Sequence, residues 1–303
     1  MSNENALSPT NPFRLSIVGH GFVGQAVEYA FMHPLVQVST IDPKYNTSVD
    51  DLAVIQPHLV FVCAPTPQGD DGFVDASIVI DAVLKAMIHT NALVVVKSTI
   101  TPDVIERIYN SIDANDTSRF VYNPEFLTEK NAAADFVNAD YHVFGGSEDG
   151  TRELAEIYTM FSGCASNDYH YMTAFEASFV KYTINSYLAT KVTFFNQLYD
   201  MINHFGCSYN IVSRTVGLDP RVGIGHTRIP GFDKKRGFGG ACLPKDTNAL
   251  LKFSEATDED GNIVKMDILE KVLEINTRYR AAYELDEREK VNNITFAKFG
   301  DDA

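Results

Sequence analysis

The 303-residue chain contains only four cysteines, at positions 63, 164, 207 and 242, and no two form a C-x-x-C pair. Such spacing supplies neither a disulfide framework nor a structural zinc site, so no metal is expected. Positive charge is also short: 25 Lys and Arg against 40 Asp and Glu leave a formal net charge of −15. That balance excludes a general binder of nucleic-acid backbone, although a local basic pocket can still hold a phosphate. No run of eighteen apolar residues occurs, and no membrane span is expected. The opening MSNENALSPTNPF lacks a basic segment followed by an apolar run, so it does not read as a signal peptide. Internal repeats and low-complexity linkers are missing too. These absences point to a reducing, cytoplasm-like compartment.

What is present is the material of an ordered core. Hydrophobic residues make up 45% of the chain, with 14 tyrosines and 20 phenylalanines. The length suits one large domain or two ordinary ones. We expect an α/β protein: a tail over residues 1–13, a Rossmann-type domain with a parallel sheet over 14–172, and a helical domain over 173–303.

RLSIVG, residues 14–19, reads as a buried strand, and GHGFVGQAVEYAF then turns into a helix. Gly19, Gly21 and Gly24 form G-x-G-x-x-G in the required strand–turn–helix setting, with Phe22 and Val23 inside the turn. The first glycine permits the tight turn, the second admits a pyrophosphate, and the third lets the helix pack against the sheet. A second strand, VQVSTID, ends at Asp42. An acid there can accept hydrogen bonds from an adenosine ribose and repels a 2′-phosphate, which favours NAD over NADP. A glycine turn in another α/β protein, with Asp42 as a cap, would read the same way. The apolar runs LVFVCAP, ALVVVKST and RFVYNPE do not alternate, as expected of parallel strands covered on both faces. Chemistry in such sheets gathers beyond the carboxyl ends of the strands. Thr66, Ser98 with Thr99, and Asn123-Pro124-Glu125 lie at those ends. YHVFGG adds a strand and TRELAEIYTMF a helix.

From residue 173 the pattern becomes one long helical run ending at Gly206, with Phe175, Phe179, Tyr182, Ser186 and Ala189 at helical spacing. Such a helix suits a link between domains or a dimer core. Lys181 and Asn185, four apart, share a face, and a mid-helix asparagine asks for a partner. A long loop follows in which Arg221, Arg228, Lys234, Lys235 and Arg236 stand out against the acidic chain. The cluster can be a landing site for phosphates or a solvated basic loop. Pro244 suits the first turn of the helix that LPKDTNALLKFSEA begins. The remainder reads as one or two solvated acidic helices.

RGFGGACLPKD, residues 236–246, joins these threads. Cys242 lies just before a helix start, where unpaired N–H groups and the helix dipole lower a thiol pKa. Asp246 lies one turn on. Gly237, Gly239 and Gly240 let a loop close over a substrate; a glycine turn with a merely buried cysteine is the plainer alternative. A thiolate beside a nicotinamide allows an aldehyde to be oxidised through a thiohemiacetal and a thioester.

FGGACLPKD, NPEFLTE, FVKYTINSYLA, CAPTP and KST together resemble the UDP-glucose/GDP-mannose dehydrogenase family over about residues 14–280. The resemblance implies two successive NAD-dependent oxidations of a nucleotide-sugar 6-hydroxyl to a carboxylate. It implies Cys242 as nucleophile, Asp246 and Thr99 around the catalytic water, and Lys181 with Asn185 at the oxyanion and the sugar. Glu125 would serve proton transfer, Glu129 the cofactor side, and Arg221 the sugar of a neighbouring subunit in a homodimer. Lys245 is expected only to support the loop. Two departures stand out. Only sixteen residues separate Asp42 from the LVFVCAPTP strand. The stretch after the central helices is too short for the family's third, nucleotide-gripping domain, so substrate phosphates should rest on Arg228, Lys234 and Lys235. A single-oxidation β-hydroxyacid-type dehydrogenase needs no Cys242. A catalytically silent NAD-binding homologue would not need to keep these side chains.

Overall fold

The computed structural model describes residues 7–8, 10–256 and 261–296. The chain divides into two compact units, residues 1–66 with 75–181, and residues 67–74 with 182–303. The first unit is built on a seven-stranded sheet of order β2-β1-β3-β4-β5-β6-β7. Its strands are β1 (Phe13–Val18), β2 (Val36–Ile41), β3 (Leu59–Val62), β4 (Leu93–Val96), β5 (Phe120–Tyr122), β6 (His142–Gly146) and β7 (Tyr169–Met172). The helices between them are α1 (Phe22–Ala30), α2 (Leu52–Ile55), α3 (Ser77–His89), α4 (Pro102–Ser111), α5 (Ala132–Val137) and α6 (Glu148–Phe161). All four residues of β3 and of β4 are buried, as their apolar sequences require of strands covered on both faces. Leu15, Phe31, Phe61, Phe144 and Tyr158 share one core beneath this sheet.

Two features depart from the expected parallel sheet. β6 runs antiparallel to β5, Val121 opposite Gly146. Both glycines of FGG are required there: a Cβ at Gly146 would lie 2.8 Å from the Phe120 carbonyl, and one at Gly145 2.6 Å from Ala177 Cβ. The β7 strand, YHYM, is a half-exposed edge strand, so it carries no apolar run that would announce it. The short excursion between Asp42 and β3 is filled by two 3₁₀ turns and α2.

Helix α7 (Ala174–His204) gives residues 174–181 to the first unit and 182–204 to the second. Gly206, in the left-handed region at φ 71°, ends it. Of the expected packing stripe, Tyr182, Ser186 and Ala189 are buried while Phe175 and Phe179 are exposed. The second unit adds α8 (Tyr209–Gly217), α9 (Leu243–Glu255), α10 (Asp267–Arg280) and α11 (Glu287–Val291). Its cores gather Phe195, Ile202, Tyr209 and Ile229 on one side, and Ala189, Phe238 and Val272 on the other. The acidic closing helices are not merely solvated, since Arg280 and Glu289 are completely buried as a pair. Among the described residues no helix is long and apolar enough to cross a membrane. None of their His, Cys, Asp and Glu side chains group as a metal site.

Candidate functional site

In the first unit the glycine motif lies between β1 and α1. Gly19 takes φ 90°, and a Cβ there would lie 2.6 Å from the Cys63 carbonyl oxygen. A Cβ on Gly24 would lie 2.2 Å from the Gly19 carbonyl oxygen. Gly21, the N-cap of α1, differs: its Cβ would meet nothing within 4 Å. Two glycines therefore serve packing, and the third leaves open space before the helix N-terminus, where a pyrophosphate fits. Asp42 lies beside this turn, accepting from His20 N at 2.8 Å and from Lys44 N at 3.0 Å. Burial pushes its carboxyl up, but those two amides and the Lys44 ammonium outweigh it, and the group titrates below its usual value. Each carboxylate oxygen keeps acceptor capacity for a ribose hydroxyl. His20 is held by Tyr45 Oη at 2.9 Å and Glu28 Oε2 at 2.7 Å. Phe22 and Glu129 line a common open groove, while Val23 is half-buried in α1 and Thr66 is buried after β3. These residues fit a dinucleotide with an unsubstituted adenosine ribose.

At the carboxyl ends of β4 and β5 the same unit holds a buried polar cluster. Lys181 Nζ donates to Glu125 O at 2.6 Å and to Glu125 Oε1 at 3.1 Å, and Glu125 Oε2 accepts from Leu127 N at 2.6 Å. Lys97 Nζ donates to Asn123 Oδ1 at 2.9 Å, an oxygen that also accepts from Tyr158 Oη. Burial pushes the Lys97 ammonium down to about 8, against the pull of Cys63 and Glu125. Cys63 is pushed up to about 12 by burial, which makes it a poor thiolate. Lys97, Asn123, Glu125 and His142 line a cavity of about 210 Å³. Thr99 is half-buried, two residues beyond Lys97.

In the second unit Cys242 is the N-cap residue of α9, with Pro244 in the first turn. Its carbonyl accepts the first helical bond, from Asp246 N at 2.8 Å. The Asp246 carboxylate is fully enclosed: Oδ1 receives Lys245 Nζ at 2.6 Å and Oδ2 receives Asn185 Nδ2 at 2.6 Å. Asn185 thus has the partner that its place in a helix demanded. Lys245, expected only to support the loop, is the counter-ion of this acid.

The basic loop is largely engaged. Arg236 lies between the rings of Tyr199 and Tyr279 and bonds Asn196 and Asp200. Lys235 Nζ donates to Glu284 O at 2.5 Å, and the Arg228 guanidinium covers Phe232. Lys234 is exposed, and Arg221 is a surface side chain paired with Asp219 at 2.6 Å. Gly239 and Gly240 lie against Arg280, Glu289 and Arg288. Sequence reasoning missed Lys97, Asn196, Asn276, Arg280 and Glu289. Lys97 was visible inside KST; the others lack any local signal.

Residues 44–162 match the model of the UDP-glucose/GDP-mannose dehydrogenase family, NAD binding domain, and residues 175–278 that of the same family's central domain. The glycine motif and Asp42 precede the first match. A UDP-glucose 6-dehydrogenase of Rickettsia bellii is 32% identical over 221 residues, covering 72% of this chain and 48% of the relative. One from Rhizobium meliloti is 34% identical over 230 residues, 72% of this chain and 51% of the relative. The chain thus spans about half the length of the curated relatives it matches. The structure of a UDP-glucose dehydrogenase from the archaeon Pyrobaculum islandicum superposes with a TM-score of 0.68 at 26% identity, covering 92% of this chain and 70% of the other.

Proposed function

Because the chain belongs to the UDP-glucose/GDP-mannose dehydrogenase family, we propose that it is an NAD-dependent nucleotide-sugar 6-dehydrogenase. Its substrate in this reading is UDP-glucose, oxidised at C6 from alcohol to carboxylate. The observation that carries the reading is the enclosed Asp246 carboxylate, bonded by Asn185 and Lys245 one helical turn from Cys242.

NAD, when bound through the Gly21 turn and Asp42, supplies the hydride acceptor for each oxidation. The chain's own groups do the rest. In the first oxidation the C6 hydroxyl loses its proton to water ordered by Asp246 and Thr99 while C6 loses its hydride, leaving an aldehyde. The Cys242 thiolate then adds to the aldehyde carbon. Lys181 and Asn185 donate hydrogen bonds to the oxygen, which takes a proton back from the ordered water to become the hydroxyl of a thiohemiacetal. Loss of that hydroxyl proton and of the C6 hydride leaves a thioester. Water activated by Asp246 cleaves it to carboxylate and thiolate. Glu125, bonded to Lys181, passes protons outward. Arg228, Lys234 and Lys235 attract the diphosphate, and salt should therefore raise KM. The chain pairs with a second copy through α7, on which Tyr187, Phe194 and Met201 are exposed, and Arg221 reaches the partner's sugar.

Product analysis tests the reading. Two NADH and one carboxylate per UDP-glucose support it. One NADH with a carbonyl product, or none with any nucleotide sugar, rejects it. Cys242→Ala should abolish acid formation while NAD binding persists.

A further inference from the structure

The glycines before Cys242 make room for a buried ion pair. A Cβ at Gly239 would lie 2.1 Å from Arg280 Nη2 and 2.3 Å from Glu289 Oε1. Glu289 Oε1 accepts from both Arg280 Nη2 and the Gly240 amide, the latter at 3.1 Å. Its Oε2 accepts from Asp286 N at 2.9 Å, fastening it in α11. Arg280 Nη1 holds Asp233 at 2.6 Å, farther back in the loop. The neighbouring amides are held in the same manner. Gly237 N ends on Asn196 Oδ1 at 3.0 Å and Phe238 N on Asn276 Oδ1 at 2.7 Å. Each of these backbone donors thus ends on a side-chain acceptor, and the last acceptor is a buried charge, the stronger kind.

Gly240 stands two residues before Cys242, and Cys242 itself starts α9. One side of the cysteine is set by the helix and the other by Glu289. Both Glu289 and Arg280 fall beyond the residues that match the family's central domain. We infer that Glu289, steadied by Arg280, is a positioning residue that aims the Cys242 thiol; the inference rests on the reading of Cys242 as nucleophile. The segment after α10 is in this view part of the catalytic apparatus, although it touches no reacting atom. The Cys242 loop needs it because a glycine-rich backbone has many conformations of its own.

Two substitutions separate aim from mere support. Glu289→Gln keeps the reach and the acceptor for Gly240 N but loses the charge and the acceptor for Asp286 N. Glu289→Asp keeps the charge but is one methylene too short. If Glu289 aims the thiol, the aspartate variant lowers kcat at least tenfold with KM for NAD within twofold, and the glutamine variant stays within threefold of the parent. Site-resolved alkylation of Cys242 by iodoacetamide, followed by peptide mass in the full-length protein, should quicken at least threefold in Glu289→Asp and little in Glu289→Gln. The opposite ranking, with glutamine the more damaging, would mean that the pair only stabilises the fold and would overturn the inference. So would unchanged kcat and alkylation in both variants. The alkylation arm needs no turnover, so it decides the matter even if the parent oxidises no nucleotide sugar and the dehydrogenase reading fails.

Discussion

Asn185 and Asp246 are joined by a 2.6 Å hydrogen bond although sixty-one positions separate them. The bond occupies one oxygen of a buried carboxylate whose other oxygen holds the adjacent Lys245. Removing one member of such a pair strands a buried charge, at about 3–5 kcal/mol. Lys245→Met should therefore lower the urea midpoint markedly. Asp246→Asn strands the equally buried Lys245 ammonium, so it should lower the midpoint as well, and it should also cut kcat about 100-fold or more through the lost base. Urea titration and steady-state rates check both.

The three glycines of the nucleotide turn should respond in opposite ways. Gly24→Ala forces a Cβ to within 2.2 Å of a backbone oxygen, so melting temperature should drop. Gly21→Ala meets no protein atom, so melting should hardly change while NAD affinity falls, since the methyl occupies the space left for the pyrophosphate. Calorimetry of both variants, with and without NAD, makes the comparison. A Gly21→Ala protein that bound NAD normally would refute the assignment.

Asp42 should set the cofactor preference. Its carboxylate stays ionised, because its amide partners hold its titration below the ordinary range. NAD should bind at least about tenfold tighter than NADP, from one ribose contact and one like-charge clash. Asp42→Ala should narrow that gap, read by fluorescence titration of each cofactor.

His142 makes stability depend on acid. It is packed among Phe136, Phe144, Tyr158 and Tyr169. Burial, with Lys97 second and against a hydrogen bond that the ring donates to the Ser166 backbone, pushes the ring down to about 4 from 6.5. Above pH 6.5 both folded and unfolded chains carry it neutral, and nothing is lost. As the pH falls from 6.5 toward 4 the unfolded chain takes the proton first, so stability drops. By pH 5 the loss is on the order of 2 kcal/mol. His142→Phe should flatten the fall in denaturation midpoint between pH 7 and pH 5. An equal slope in the variant would show that other groups carry it.

The sheet unit was legible from the sequence because its causes are local. Short, β-branched apolar runs such as LVFV and LVVV read as strands covered on both faces, and a glycine motif between strand and helix follows from steric limits within a few residues. Pro244 marked the start of α9 in the same way. The direction of β6 and the existence of β7 were not legible, since an edge strand of tyrosine and histidine needs no apolar face and a strand's sense depends on the path of the chain. The same holds at the site. Cys242, Asp246, Lys181 and Asn185 could be named from residue type and spacing, but the partners of Asn185, Lys181 and Lys245 could not. A lysine or glutamate on a helix reads as solvated until a distant segment covers it. Tertiary packing alone decided that Gly239 approaches Arg280 and Glu289. Steric room shows in the letter G; what fills the room is set by residues some forty and fifty positions away, brought there by burial that no local pattern encodes.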